Sequence, residues 1–158
     1  MKDGLVEDFY DNGKLWVREN YKEGKLDGPW VEYWENGQLY VSGNYKSGVR
    51  EGLWEFYYDN GQLRTRGEYK EGELDGPWED YYENGRLKSR ENYKYKKGIE
   101  GLSEHYYDNG QLETKDYTKD GELHGLYERY DEEGRLIEKE EYEDGKLIKE
   151  WKEGNLIE

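Results

Sequence analysis

A glycine recurs at Gly4, Gly28, Gly52 and Gly76, at an interval of 24 residues, and again at Gly101 and Gly125. A second glycine keeps step with it at Gly13, Gly37, Gly61, Gly85, Gly110 and Gly134. A leucine follows two residues later each time, from Leu15 and Leu39 to Leu112 and Leu136. Self-similarity at such a period is the mark of a repeat array. The chain of 158 residues reads as one repeat domain over residues 1–158. Its repeats run over about 4–27, 28–51, 52–75, 76–100, 101–124 and 125–148, with a partial one at 149–158.

Composition alone points the other way. Charged residues make up 40% of the chain, the net charge is -15, and Leu, Ile, Val and Phe are sparse, which suits disorder. The 18 tyrosines and 6 tryptophans reverse that reading. Each ring buries roughly 150–250 Å², and the rings recur in register. There is no cysteine, hence no disulfide and no thiolate metal site. No apolar run is long enough to span a bilayer, so the expectation is a soluble, cytoplasmic protein. The first repeat starts almost at Met1, so the chain is read as complete or trimmed at its N-terminus. The acidity disfavours direct nucleic-acid binding and an anionic membrane, and suits a basic protein partner.

Each repeat carries two turn signals. One is Asp/Glu-Asn-Gly, as in Asp59-Asn60-Gly61 and Glu83-Asn84-Gly85. The other is Lys-Glu-Gly or a relative, as in Lys22-Glu23-Gly24 and Lys70-Glu71-Gly72. Short segments rich in Tyr, Trp, Val and Thr lie between, which is strand, turn, strand, turn. The fold class predicted is all-β, a single-layer, extended, twisted antiparallel meander of about thirteen strands. Two-residue turns at both sites leave strands of odd length, which cannot close bonded pairs at both ends. Three-residue loops with an αL glycine restore even strands and spare the glutamate a positive φ. That register pairs Tyr58 with Gln62, Phe56 with Arg64, Trp54 with Arg66, Asp80 with Lys88 and Trp78 with Arg90. Strands of successive repeats slip by two residues.

The predicted core face carries Leu53, Tyr57, Leu63, Thr65 and Tyr69, with Pro77, Tyr81, Leu87, Ser89 and Tyr93 in the next copy. Gly43 and Gly67 lie on it, under bulky neighbours. Trp54, Tyr58, Arg64 and Arg66 fall on a partly exposed second face. Pro29 and Pro77 remove a ladder donor and weaken pairing locally. The fourth repeat gains residues around Tyr93-Lys94-Tyr95-Lys96-Lys97-Gly98, and Tyr117 sits one position early. The tail from Gly145 reads as one or two further strands, its charges capping an edge.

Units of the form Gly-Leu-Trp-x-x-Tyr-Tyr-x-Asn-Gly-Gln-Leu…Gly-x-Tyr-x-x-Gly-x-Leu-x-Gly resemble the bacterial MORN-repeat variant family. Gly52–Gly72 and Gly76–Gly85 match best, and the likeness is closest to YwqK-type, antitoxin-like members. The resemblance implies an antiparallel hairpin array with a binding role. It implies no catalytic residues.

Chemistry is scarce. His105 and His124 lie in different repeats without zinc-site spacing. Glu55, Glu79, Glu104 and Glu128 form a column of carboxylates, which reads as periodic design and not as a catalytic pair. No glycine loop precedes a helix that could cradle phosphate. No catalytic, cofactor or metal site is assigned. The partner-binding residues predicted are Trp30, Trp34, Trp54, Tyr58, Arg66, Trp78, Tyr82 and Arg90, since Trp, Tyr and Arg dominate interface energetics. The function expected is a non-catalytic, antitoxin- or immunity-type inhibitor of a basic, nuclease-like protein. The alternatives are a scaffold or homodimer built through the aromatic face, and a nucleic-acid mimic that blocks a nucleic-acid enzyme such as a CRISPR effector.

Overall fold

The computed structural model describes residues 2–152 and 155–157. Two compact units divide the chain, Met1–Asp75 and Gly76–Glu158. The first holds β1 (Gly4–Phe9), β2 (Leu15–Lys22), β3 (Lys25–Leu26), β4 (Gly28–Tyr33), β5 (Leu39–Lys46), β6 (Val49–Tyr57) and β7 (Leu63–Lys70). β8 (Glu73–Tyr81) runs through the division. The second holds β9 (Leu87–Lys94), β10 (Gly98–Ile99), β11 (Gly101–Tyr106), β12 (Leu112–Lys119), β13 (Glu122–Leu123) and β14 (Gly125–Tyr130). It ends in β15 (Leu136–Glu143), β16 (Lys146–Lys152) and β17 (Asn155–Ile157). The predicted all-β meander is what forms: within each unit the pairings are antiparallel and join strands near in sequence.

The two turn signals fold differently. Asp/Glu-Asn-Gly makes the expected three-residue loop. Tyr58 N donates to Gln62 O at 2.9 Å, Gly61 N to Tyr58 O at 3.0 Å, and Gly61 has φ 85. The asparagine closes it, since Gln62 N donates to Asn60 Oδ1 at 2.9 Å. The Lys-Glu-Gly turn departs from the prediction. Lys22 pairs with Lys25, so only Glu23 and Gly24 form the loop, with φ 52 and 78. This is a two-residue turn with two positive φ values. At Glu23, Ser47, Glu71 and Asp120 a carboxylate from earlier in the chain steadies the strained residue. Glu23 N donates to Asp3 Oδ1 at 2.6 Å, Ser47 N to Asp27 Oδ2 at 2.9 Å, Glu71 N to Glu51 Oε2 at 2.9 Å and Asp120 N to Glu100 Oε2 at 2.8 Å.

A bulge resolves the parity. Tyr57 pairs with Leu63, but Phe56 pairs with Thr65, leaving Arg64 unpaired. The same step leaves Trp16, Tyr40, Lys88, Glu113 and Ile137 unpaired. One extra residue per hairpin moves the second strand by one position, which exchanges its faces. Beyond the bulge the predicted pairs Phe56–Arg64, Trp54–Arg66, Asp80–Lys88 and Trp78–Arg90 are therefore replaced. Trp54 lies opposite Gly67 and Glu55 opposite Arg66; Asp80 opposite Ser89, Trp78 opposite Glu91 and Glu79 opposite Arg90.

The core assignment is corrected by the same bulge. Leu53, predicted inside, is 52% exposed, whereas Trp54, predicted on the open face, is 1% exposed. Thr65 and Ser89 are buried as predicted, because the shift carries them to the tryptophan's side. Val17 and Val41, in the column of Thr65, are buried with them.

Strands of successive repeats slip by two residues, as predicted: Tyr21–Leu26 gives way to Arg18–Val31, and Tyr45–Arg50 to Ser42–Glu55. Pro29 sits in such an interruption, where Asn20 Nδ2 donates to its carbonyl at 2.8 Å. The interruption also occurs beside Leu102 and Leu126, so it belongs to the repeat and accommodates the proline rather than resulting from it. In the fourth repeat the second turn grows to Tyr95-Lys96-Lys97, with Lys94 paired to Gly98. The tail supplies β16 and β17 as expected, while Glu153 and Gly154 lie outside the described residues.

Candidate binding surfaces

On the first face of the N-terminal unit, Trp54 is the centre. A Cβ built on Gly43 would stand 2.2 Å from Trp54 Cδ2, so only glycine lets the ring lie there. Trp54 Nε1 donates to Asn44 O at 3.2 Å. Tyr45 and Tyr69 meet the indole edge-on, at centroid distances of 5.1 and 6.1 Å. The Arg50 guanidinium lies 4.5 Å from the Trp54 ring and 5.3 Å from that of Tyr69, and Nη1 donates to Tyr69 OH at 3.1 Å. Arg50 occupies a column held by Leu26, Leu74, Ile99, Leu123 and Leu147 in other repeats and by a second cation, Lys2, in the first, where Nζ lies 4.6 Å from the Tyr21 ring.

The C-terminal unit fills the same columns with other chemistry. Ser103 stands where Trp54 does, Glu91 where Gly43 does, Asp116 where Gly67 does and His105 where Phe56 does. Ser103 is buried and pairs with Asp116. Tyr93 OH donates to Glu91 Oε2 at 2.7 Å, and His105 Nε2 lies 3.7 Å from Glu91 Oε1. Burial pushes the Asp116 carboxyl above the usual range; His105 pulls it down and Glu91 pushes it up. Burial and the Glu91 carboxylate also push the Tyr93 phenol up. Further along, the Glu140 carboxylate holds the Tyr142 phenol, pushed up to about 12 by that hydrogen bond and by burial.

The second face carries polar triads in step with the repeat. Tyr81 OH donates to Glu79 Oε2 at 2.7 Å while Arg90 Nη2 lies 2.8 Å from Glu79 Oε1. Tyr130 OH donates to Glu128 Oε2 at 3.0 Å, with Lys139 Nζ 3.2 Å from Oε1. The carboxylate column read in the sequence is thus met in register by cations. Beside it the leucine column is open. Leu102 pairs with Tyr117, and both are exposed, as is Leu126. With Lys115, Asp116 and Glu128 they line an open groove of about 320 Å³. Tyr117's early position turns its ring to this face.

The predicted binding residues do not form one patch. Trp30 and Trp54 lie on the first face, with Trp30 against Tyr45 at 5.4 Å; Trp78 packs against Tyr93 at 6.5 Å. Arg66 and Arg90 lie on the second face, opposite Glu55 and Glu79. Trp34, Tyr58 and Tyr82 precede the Asp/Glu-Asn-Gly turns and are half-buried. Trp34 Nε1 donates to Tyr57 O at 3.2 Å and Tyr82 OH to Tyr106 O at 2.7 Å. Sequence reasoning missed Arg50, whose signal is the break in a leucine column, and the Leu102–Tyr117–Leu126 row, whose signal is Tyr117 one place early.

A MORN repeat variant model matches residues 2–23, 26–47, 50–71, 74–95, 99–120 and 123–144. The chain belongs to the MORN repeat variant family. The matched segments start just before each hairpin's leading glycine and end in the second turn, so the family unit and the structural repeat coincide. No curated protein matches the chain. Among solved structures it is similar to one of accessory secretory protein 1, 2 and 3 in Streptococcus pneumoniae, at 16% identity and a TM-score of 0.29. That likeness covers 72% of this chain and 19% of the other, so this MORN variant chain spans about a fifth of that relative's length. Among the described residues no helix is long and apolar enough to cross a membrane.

Proposed function

We propose that this MORN variant protein is a non-catalytic binding protein that captures a basic protein, as an antitoxin- or immunity-type inhibitor does. The observation that carries the reading is the pairing of a net charge of -15 with an exposed apolar row, Leu102, Tyr117 and Leu126, on an open sheet. Apolar anchors supply the dry centre of an interface, and the acidic surround steers a basic partner and sets its register. Nucleic-acid mimicry has less support. Glu79, Glu104 and Glu128 face Arg90, Lys115 and Lys139 in register, which neutralises the row that would imitate phosphates.

The test is co-purification with the product of the neighbouring gene, followed by titration between about 0.1 and 1 M salt, over which the screening length falls from about 10 Å to about 3 Å. Affinity drops steeply with salt and falls again in Tyr117→Ala. A complex indifferent to both sinks the reading.

A further inference from the structure

The dipeptide Asn-Gly recurs at Asn12-Gly13, Asn36-Gly37, Asn60-Gly61, Asn84-Gly85 and Asn109-Gly110. An asparagine followed by glycine is chemically fragile, because the glycine has no side chain to shield its nitrogen from the carboxamide. Asn12, Asn36, Asn84 and Asn109 are all exposed. Their main chains are held alike. Gly13 N donates to Tyr10 O at 2.8 Å, Gly37 N to Trp34 O at 2.7 Å, Gly85 N to Tyr82 O at 2.9 Å and Gly110 N to Tyr107 O at 2.9 Å. Each carboxamide oxygen is held too, accepting from the N–H two residues on at 2.8–3.0 Å.

The other end of the carboxamide sets one turn apart. Asn36 Nδ2 donates to Asp59 O at 2.8 Å, Asn84 Nδ2 to Asp108 O at 3.3 Å and Asn109 Nδ2 to Glu132 O at 3.0 Å. These acceptors are main-chain carbonyls of the following repeat. Among the described residues Asn12 Nδ2 meets only the Glu35 carboxylate, with Oε1 at 3.5 Å, the outer limit of a hydrogen bond. Glu35 is exposed, and its side chain can turn away where a main-chain carbonyl cannot. Three carboxamides are therefore pinned at both ends and Asn12 at one.

We propose that Asn12 is a self-modification site, deamidated in the folded protein ahead of Asn36, Asn84 and Asn109. Water is the only co-reactant. Gly13 N gives its proton to a solvent base and bonds to Asn12 Cγ. The Cγ–Nδ2 bond breaks, and Nδ2 takes a proton from water and leaves as ammonia. Water then opens the five-membered imide at either carbonyl, giving aspartate or isoaspartate, with nothing oxidised or reduced. To start, the carboxamide must swing toward the glycine nitrogen. At Asn36, Asn84 and Asn109 that swing breaks a bond to the following repeat, whereas at Asn12 it gives up a loose side-chain contact. The product sets a carboxylate against that of Glu35, and isoaspartate adds a methylene to the main chain of a three-residue loop. Modification therefore pushes the first of these turns away from the second.

The test incubates the full chain at mildly alkaline pH, folded and, in parallel, unfolded in urea. Peptide mapping by mass spectrometry follows each asparagine, and methylation by an isoaspartate-specific methyltransferase gives a second readout. In the folded chain Asn12 is expected to convert about ten-fold faster than Asn36 and Asn109, the barrier that one hydrogen bond adds. Asn84 is expected between them, because its bond is the longest of the three and Arg86 Nη1 shares its acceptor at 2.9 Å. In urea the four rates converge. Equal rates in the folded chain, or the same preference for Asn12 in urea, overturn the proposal. So does a Gly13 amide whose hydrogen exchange outpaces that of Gly37, Gly85 and Gly110 by the same factor, because fraying of the hairpin then sets the rate.

Discussion

The Trp54 cluster and the Ser103 cluster occupy the same columns of one repeat and solve the same packing problem in opposite ways. In the first, Gly43 clears a floor for an indole that lies opposite Gly67 in the ladder, and Arg50 closes the top against the rings. In the second, a small serine leaves room for Glu91 and Asp116, and a tyrosine hydroxyl and His105 answer the carboxylates. The backbone pairing barely differs: Trp54 faces Gly67 as Ser103 faces Asp116. The lesson is that the ladder tolerates either an apolar or an ionic filling, provided that the columns change together.

Breaking the aromatic filling has the largest expected effect. Trp54→Ala removes the one large, fully buried side chain among the described residues, and a loss of about 3–5 kcal/mol in urea unfolding is expected. Ser103→Ala, at the matching column, costs far less. Gly43→Ala drives a methyl into the indole, and roughly 1–3 kcal/mol is expected from the overpacking. Transplanting the filling sharpens the comparison. Ser103→Trp alone destabilises, by crowding Glu91, and adding Glu91→Gly recovers more than half of the loss; a double-mutant cycle measures this coupling, and strict additivity refutes it. Arg50→Leu installs the leucine found at Leu26, Leu74 and Leu123 but removes the cation from the rings, at a cost of about 1 kcal/mol or less.

The smallest effect concerns pH. Burial raises the Asp116 carboxyl, so the folded state binds its proton more tightly than the unfolded chain does. Stability from this group therefore rises as pH falls through its folded value, and the penalty is present above it. Asp116→Asn is expected to raise the melting temperature at neutral pH and to lose that advantage in acid. A constant difference across pH contradicts the assignment.

The period, the strands and the three-residue turn were legible in the sequence because each rests on local chemistry: Asn60 closes its own loop, and Gly61 takes the positive φ. The faces were not, because alternation counts every residue equally and Arg64 carries no mark that it is skipped. Glycine at Gly43 did signal a bulky neighbour, but which ring lay above it depended on that skipped residue. The two-residue turn escaped for a related reason. Glu23 adopts a conformation that its own side chain disfavours, and the compensation comes from Asp3, far away in sequence. Of the proposed contact residues, tryptophans and tyrosines were read as a strip; the sequence did not reveal that Trp34 and Tyr82 also donate to carbonyls of the following repeat.

The carboxylates that steady the strained turns all precede them: Asp3 before Glu23, Asp27 before Ser47, Glu51 before Glu71, Glu100 before Asp120. The support runs one way along the polymer. On the ribosome, each of these four bends emerges after the side chain that will clasp it, so there growth from the amino end never waits for a helper still to be synthesised. Erosion from that same end removes clasps from bends that remain, while trimming from the other removes a bend together with its need for one.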